Sequence, residues 1–357
     1  MNWLTKLFAA LSLTAAAVTA QQPKTADQKL HIYFADVEGG QATLFVPPHG
    51  DSLLIDTGWP GRENRDAQRI TALARQAGLT RIDYVLITHY HDDHVGGVPQ
   101  LAALMPIGTF IDHGVNRELD HGVTEHGYAA YQQTLLSTGA HHIVATPGQV
   151  LPIRGLTVQV ISADGKLLPT PLEGAGKPNP FCATSEERPA DTTENGRSLG
   201  VLLTFGKLKI LDLGDLTWDR ERELMCPINR LGTVDLDIVS HHGWYQSSSP
   251  ALLNAVHAQV AIMDNGAAKG GSPATFKTLT NAPGLARLWQ LHYSEEGGPG
   301  GNPPDAYLAN PKGEEGNFLE VIADRIGHWA VRNSRTGFQE NYTTHSLAPA
   351  QSGTRER

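Results

Sequence analysis

The stretch Ile82-Asp83-Tyr84-Val85-Leu86-Ile87-Thr88-His89-Tyr90-His91-Asp92-Asp93-His94 decides how the rest of this chain is read. Ile82–Thr88 is mostly apolar, the pattern of a strand buried on both faces. His89–His94 then packs three histidines and two aspartates into six residues. Val95–Met105 has helical spacing, so the polar segment lies at the carboxyl end of a strand and just before a helix. Layered α/β folds gather their sites at that end. His89 and His91, two apart in an extended segment, face the same side. Asp93 and His94 are adjacent, so their side chains diverge toward a neighbouring point. Imidazole and carboxylate together suit Zn²⁺, with iron or manganese as alternatives.

Two later segments end apolar strands in the same way. Leu208–Leu213 runs into Gly214-Asp215, and a carboxylate placed there can bridge two metal ions. Leu236–Ser240 runs into His241-His242-Gly243. Upstream, Asp56-Thr57-Gly58 follows the short strand Ser52–Ile55, and Asp56 suits holding a ligand's outer N–H. His242 fits either a proton donor or an orienting group.

These segments resemble the motifs of the metallo-β-lactamase-fold hydrolases. Asp56-Thr57-Gly58 resembles the first motif; His89, His91, Asp93 and His94 match the second; Asp215 matches the bridging aspartate and His241 the final histidine. Within that superfamily the chain most resembles the hydrolase module of bacterial competence DNA-uptake channel proteins and phosphorylcholine esterases. That likeness rests on Asp36-Val37, Asn195-x-x-Ser198-Leu199, Leu213-Gly214-Asp215, His241-His242-Gly243 and Ser272-Pro273, and it spans about residues 30–292.

The resemblance implies two zinc sites. One takes His89, His91 and Asp215, completed by water or by an oxygen of Asn195 or Ser198. The other takes Asp93, His94, Asp215 and His241. It also implies the chemistry: water activated between two ions attacks a phosphoester or related ester, with Asp93, Asp215 and His242 as the catalytic groups. A β-lactam or lactone hydrolase is the alternative within the class, and a metal-binding module without turnover the alternative outside it. His113 and His292, each just after a strand end, are expected to contact substrate with Asn195 and Ser198. The chain departs from its branch in three places. Glu38-Gly39-Gly40-Gln41 stands where Gly-Gln-Gly-Asp is usual, and Gly270-Gly271 replaces the histidine before Ser-Pro. No histidine lies between Ile143 and Ser240, so the superfamily's third histidine is missing and the first site is expected to be weak.

Along the rest of the chain, strand-like and helix-like runs alternate. Two strand-rich halves, each with helices, suit a four-layer αββα sandwich. Asn64–Ala77 has Ala67, Ile70, Leu73, Ala74 and Ala77 at helical spacing, closed by Gly78. One domain is expected over residues 30–338. Long loops interrupt it at 163–195 and 294–316, and a polar tail follows at 339–357.

Composition narrows the partners. Lys plus Arg is 28 and Asp plus Glu 37, a net charge of −9. That balance disfavours a sequence-specific nucleic-acid binder and leaves a small-molecule ester as the expected partner. Residues 1–20 read as a secretory signal peptide: Lys6, the apolar run Leu7–Val18, then small residues at Val18 and Ala20 before Gln21. Residues 21–29 are a polar leader. The mature chain is expected to be exported, periplasmic or extracellular, with no membrane-spanning segment. Cys182 and Cys226 are compatible with a disulfide or with two free thiols. The oligomeric state is open.

Overall fold

The computed structural model describes residues 27–118, 124–313 and 315–346. The expected signal peptide, most of the leader and residues 347–357 lie outside them. The first six strands are β1 (Leu30–Phe34), β2 (Thr43–Val46), β3 (Leu53–Ile55), β4 (Ile82–Leu86), β5 (Ile107–Asp112) and β6 (His141–Val144). β1, β2 and β3 form an antiparallel meander, and β3 to β6 run parallel. Parallel neighbours need crossovers. These are α1 (Arg65–Gln76), then α2 (Asp92–Val95) with α3 (Val98–Leu104), and finally α4 (Glu125–Thr138).

The next eight strands build a second sheet: β7 (Thr157–Ala163), β8 (Lys166–Leu167), β9 (Gly200–Phe205), β10 (Leu208–Asp212), β11 (Leu236–Ile238), β12 (Val260–Met263), β13 (Arg287–His292) and β14 (Leu308–Asn310). Its crossovers are α5 (Trp218–Met225), α6 (Pro250–Val256) and α7 (Pro273–Asn281). The chain then returns to the first sheet as β15 (Leu319–Ala323), β16 (His328–Asn333) and β17 (Gln339–Thr343), with β15 beside β1. The spatial orders are β17-β16-β15-β1-β2-β3-β4-β5-β6 and β14-β13-β12-β11-β10-β9-β7-β8.

Strand alternation sorts the side chains. Leu30, Ile32 and Phe34 of β1 face the core between the sheets, against Val201, Leu203 and Phe205 of β9. Tyr33 faces the other way, into the layer under α1 and α3 with Ile70, Leu73 and Leu101. Leu224 of α5 and Leu252 of α6 cover the second sheet. The result is the expected helix–sheet–sheet–helix sandwich. No helix among the described residues is long and apolar enough to cross a membrane.

α1 follows its apolar stripe, and Gly78, at φ 80°, ends it. The helix expected over Val95–Met105 is split at Gly96-Gly97. There the chain passes so close to the first motif that a Cβ on Gly97 would lie 2.1 Å from the Thr57 carbonyl oxygen. Four strands fall where the sequence shows none, one of them the two-residue β8 inside the expected loop 163–195. β6 is a mostly exposed edge strand. β14 forms inside the expected loop 294–316. The expected tail begins with β17, paired antiparallel to β16. These short or polar edges carry little apolar signal, and their pairing partners supply the order. Tyr342 anchors β17, accepting a hydrogen bond from Trp289 Nε1 at 3.1 Å. The loop 163–195 is largely irregular, and Cys182 is disulfide-bonded to Cys226.

Candidate metal centre

The centre lies where strand ends of both sheets meet. Past β4, the Thr88 N–H and hydroxyl donate to Asp56 Oδ1 and Oδ2 at 2.8 and 2.6 Å. Past β10, the chain turns at Gly214, whose φ is 55° and whose Cβ would strike Thr88. The next residue, Asp215, donates its N–H to Ser198 Oγ at 3.2 Å. Past β11, His241 donates its N–H to the Gly214 carbonyl at 3.0 Å. The opening segment also serves this place. Gln41 donates its N–H to the Asp93 carbonyl at 3.1 Å, and a Cβ on Gly40 would lie 2.3 Å from that same oxygen. Glycine at 40 is therefore a packing requirement.

The two carboxylate oxygens of Asp215 face different ligand sets. Oδ1 lies 3.3 Å from His94 Nε2 and 3.5 Å from His242 Nε2. Asp93 Oδ2 closes that group, 3.3 Å from His94 Nε2 and 3.1 Å from His242 Nε2. Oδ2 of Asp215 lies 3.4 Å from His241 Nε2 and 3.9 Å from His89 Nε2. His89 Nε2 in turn meets His91 Nδ1 at 3.0 Å. This division differs from the sequence expectation: His242, not His241, joins Asp93 and His94, and His241 joins the side of His89 and His91. The physical reason is the backbone. His241 and His242 both adopt left-handed conformations, φ 56° and 53°, and the turn sends adjacent imidazoles to opposite sides of Asp215.

Outer contacts fix which ring nitrogen faces inward. His94 Nδ1 meets Asp56 Oδ2 at 2.7 Å. Asp56 is buried with the Thr88 donors on it, so it accepts, and His94 presents Nε2 to the centre. His91 Nε2 lies 3.3 Å from Glu118 Oε2, which leaves Nδ1 for the centre. His242 Nδ1 faces Asp264 Oδ1 at 3.3 Å. Glu118 also accepts the Glu194 N–H at 2.6 Å, tying the loop after β5 to the segment that carries Asn195.

The electrostatics follow burial. Burial holds His89 well below the usual histidine range and brings His241 down to about 4, so both are neutral with lone pairs to give. Burial alone would raise Asp215, but His94, His241 and His242 hold it well below the usual carboxylate range. Burial likewise opposes ionised Asp93, but Lys269 and His94 hold it low. Burial and Lys269 press His242 downward, yet Asp215 and Asp264 carry it to about 10. Protons on imidazoles here neutralise the buried carboxylates, and a divalent cation would displace them.

The residues fit such a cation. Asp215 Oδ1 is buried without a hydrogen-bond donor, although two imidazoles flank it. Nε2 of His94 and Nε2 of His242 point at one another at 3.2 Å. Two imidazole nitrogens and two carboxylates crowded on one buried point, with Asp215 Oδ1 left without an aligned hydrogen bond, are the arrangement a metal ion resolves once it displaces the imidazole protons. Asp93, His94, Asp215 and His242 all bring ligand atoms within 4.8 Å of one another. The nitrogen and oxygen donor set suits divalent zinc or iron.

The other sequence candidates take different places. Asn195 Nδ2 lies 3.4 Å from His241 Nε2, and its Oδ1 is buried and unpaired. Ser198 is fully buried and supports the Asp215 backbone. His113 is buried, with Nε2 2.9 Å from Glu194 Oε2. His292 is buried, with Nε2 2.7 Å from Asp36 Oδ1, in a cluster that also holds Glu38 and Arg69. Both histidines are thus engaged in internal pairs. The sequence reading missed Glu118 and Asp264, which stand behind ligands, and Lys269, whose ammonium contacts Asp93 Oδ2. Asp264 directly follows the apolar strand β12, the same local signal that marks the ligands, whereas Glu118 and Lys269 carry no local motif. Trp244 and Tyr245 are partly exposed beside the centre, with the Trp244 ring 5.7 Å from that of His241.

Residues 35–178 match the metallo-beta-lactamase superfamily, and the chain carries a domain of that superfamily. Among curated proteins it is similar to an atrochrysone carboxyl ACP thioesterase of Aspergillus terreus, 30% identical over 35% of this chain and 32% of the relative. It is similar to a hydroxyacylglutathione hydrolase of Stenotrophomonas maltophilia, 43% identical over 18% of this chain and 21% of the relative. It is also similar to recombination protein 2 of Haemophilus influenzae, 25% identical over 65% of this chain and 24% of the relative. The matches thus span a third or less of those relatives' own lengths, and two of the three carry hydrolase names.

Proposed function

We propose that the chain is a two-metal hydrolase acting on a phosphoester or related ester. The observation that carries this reading is the split of Asp215, with Oδ1 toward His94 and His242, which Asp93 joins, and Oδ2 toward His241 and toward His89, whose Nε2 meets His91 Nδ1. In this reading His241 supplies the imidazole that the first site lacks in sequence. His242 is then a ligand rather than a free proton donor. Zinc is the proposed metal, with iron or manganese as alternatives.

Divalent ions bound there would lower the pKa of a water and polarise the scissile group. The chain's own residues supply the rest. Asp215 sets the spacing of the two donor sets. Asp56 and Glu118 hold His94 and His91 in the ligating tautomers. The buried setting strengthens each interaction with charge that develops on substrate. A thioester is the second reading, favoured by the name of the Aspergillus relative. Export remains part of the proposal, supported by the Cys182–Cys226 disulfide.

The test is a panel of bis(4-nitrophenyl) phosphate, an aryl thioester, a lactone and nitrocefin, each assayed before and after chelation. Chelator-sensitive hydrolysis of the phosphodiester supports the proposal. Thioester turnover alone selects the second reading, and lactone or nitrocefin turnover alone selects the β-lactam or lactone alternative. A metal-loaded protein that turns over none of the four is a metal-binding module.

A further inference from the structure

Lys269 is a charge beside the centre that no motif uses. It sits between β12 and α7, in a loop packed on the His241-His242 turn. Gly271 donates its N–H to the His242 carbonyl at 2.9 Å, and a Cβ on Gly270 would lie 2.1 Å from that oxygen. The loop therefore holds the Lys269 stem at a fixed distance from the ligands. Its ammonium donates to the Gly39 carbonyl at 2.7 Å and to Asp93 Oδ2. It also lies 5.1 Å from the centroid of the Trp59 ring. An ammonium has three donors. Two are taken, and the side chain is 25% exposed.

A lysine against a cation's ligand is costly for a pure metal site, because the like charges repel. Asp93 and Asp215 among the ligands, with Asp56, Glu118 and Asp264 behind them, bring five carboxylates to offset two dications, so Lys269 supplies the positive charge that an incoming anion meets. We propose that Lys269 binds substrate: its remaining N–H holds a non-bridging phosphoryl oxygen beside the Trp59 wall, and the ester class is a phosphoester. This rests on the two-metal hydrolase reading.

The test compares metal-loaded wild type, Lys269→Met and Lys269→Arg. Calorimetric titration with inorganic phosphate needs no turnover. Loss of one charge-assisted hydrogen bond should weaken phosphate binding on the order of 30-fold in Lys269→Met. Lys269→Arg should recover most of it, with equal metal content in all three. In kinetics, kcat/KM of Lys269→Met should fall at least about tenfold more for bis(4-nitrophenyl) phosphate than for neutral 4-nitrophenyl acetate, chiefly through KM. Unchanged phosphate affinity, equal falls on the two esters, or loss of metal in Lys269→Met would each overturn the proposal. If wild type hydrolyses neither ester, the hydrolase reading fails, while the phosphate titration still decides whether Lys269 binds the anion.

Discussion

Asp56→Asn changes one atom and inverts one histidine. In the wild type, Oδ2 of Asp56 meets His94 Nδ1 at 2.7 Å and accepts the Thr88 hydroxyl at 2.6 Å, while Oδ1 accepts the Thr88 N–H at 2.8 Å. An asparagine keeps its oxygen on the backbone N–H and turns its NH₂ toward His94. Two donors then face each other, so His94 must carry its proton on Nε2 and withdraw that lone pair from the centre. Lost orienting carboxylates cost metal sites about 10- to 100-fold in affinity, or ~1.4–2.7 kcal/mol. The metal-free protein should lose less, about 1–2 kcal/mol, because burial itself opposes the Asp56 carboxylate and its removal offsets part of the lost bonding. The assay is competitive zinc titration against a chelator, read beside urea unfolding of the metal-free protein. One site should weaken by the stated factor, with the other within about threefold. Unchanged zinc affinity at both sites would refute the reasoning, since the tautomer argument allows no such result.

Glu118→Ala should weaken the other site by about tenfold, because His91 Nε2 loses the carboxylate behind it; the same titration reads it. Replacing Cys182 and Cys226 together by serine should cost ~4 kcal/mol on the chain-entropy estimate for their separation of 44, measured by denaturant unfolding. Burial pushes Glu221 up to about 7 although the Ser248 and Ser249 N–H groups donate to it. The folded state thus keeps a proton that the unfolded chain, with the ordinary value near 4.5, has released. Stability from this group is full below that value and is lost as pH rises to about 7. Wild-type Tm should therefore fall relative to that of Glu221→Gln between pH 5 and 8, and parallel curves would contradict it.

The ligand-bearing segments were legible because each is local: an apolar strand followed by His or Asp within a few residues. The sandwich was legible from alternating strand and helix runs. The division of labour between His241 and His242 was not, because it depends on two consecutive left-handed residues that no composition signals. His113 and His292 followed strand ends as a cleft residue would, yet Glu194 and Asp36, distant in sequence, take the Nε2 atom of each ring. Glu118 and Lys269 reach the centre from loops whose path only tertiary packing sets, whereas Asp264 stands at the end of β12 and shared the strand-end signal of the ligands. β6 and β17 were hidden because an exposed edge strand needs no apolar face, and Gln339–Thr343 therefore read as tail.

Metal content tests the central claim most directly. Elemental analysis of protein purified without chelator should find two transition-metal ions per chain, one for each carboxylate oxygen of Asp215. Protein that folds with no bound transition metal, and takes up none when zinc is added, would contradict it.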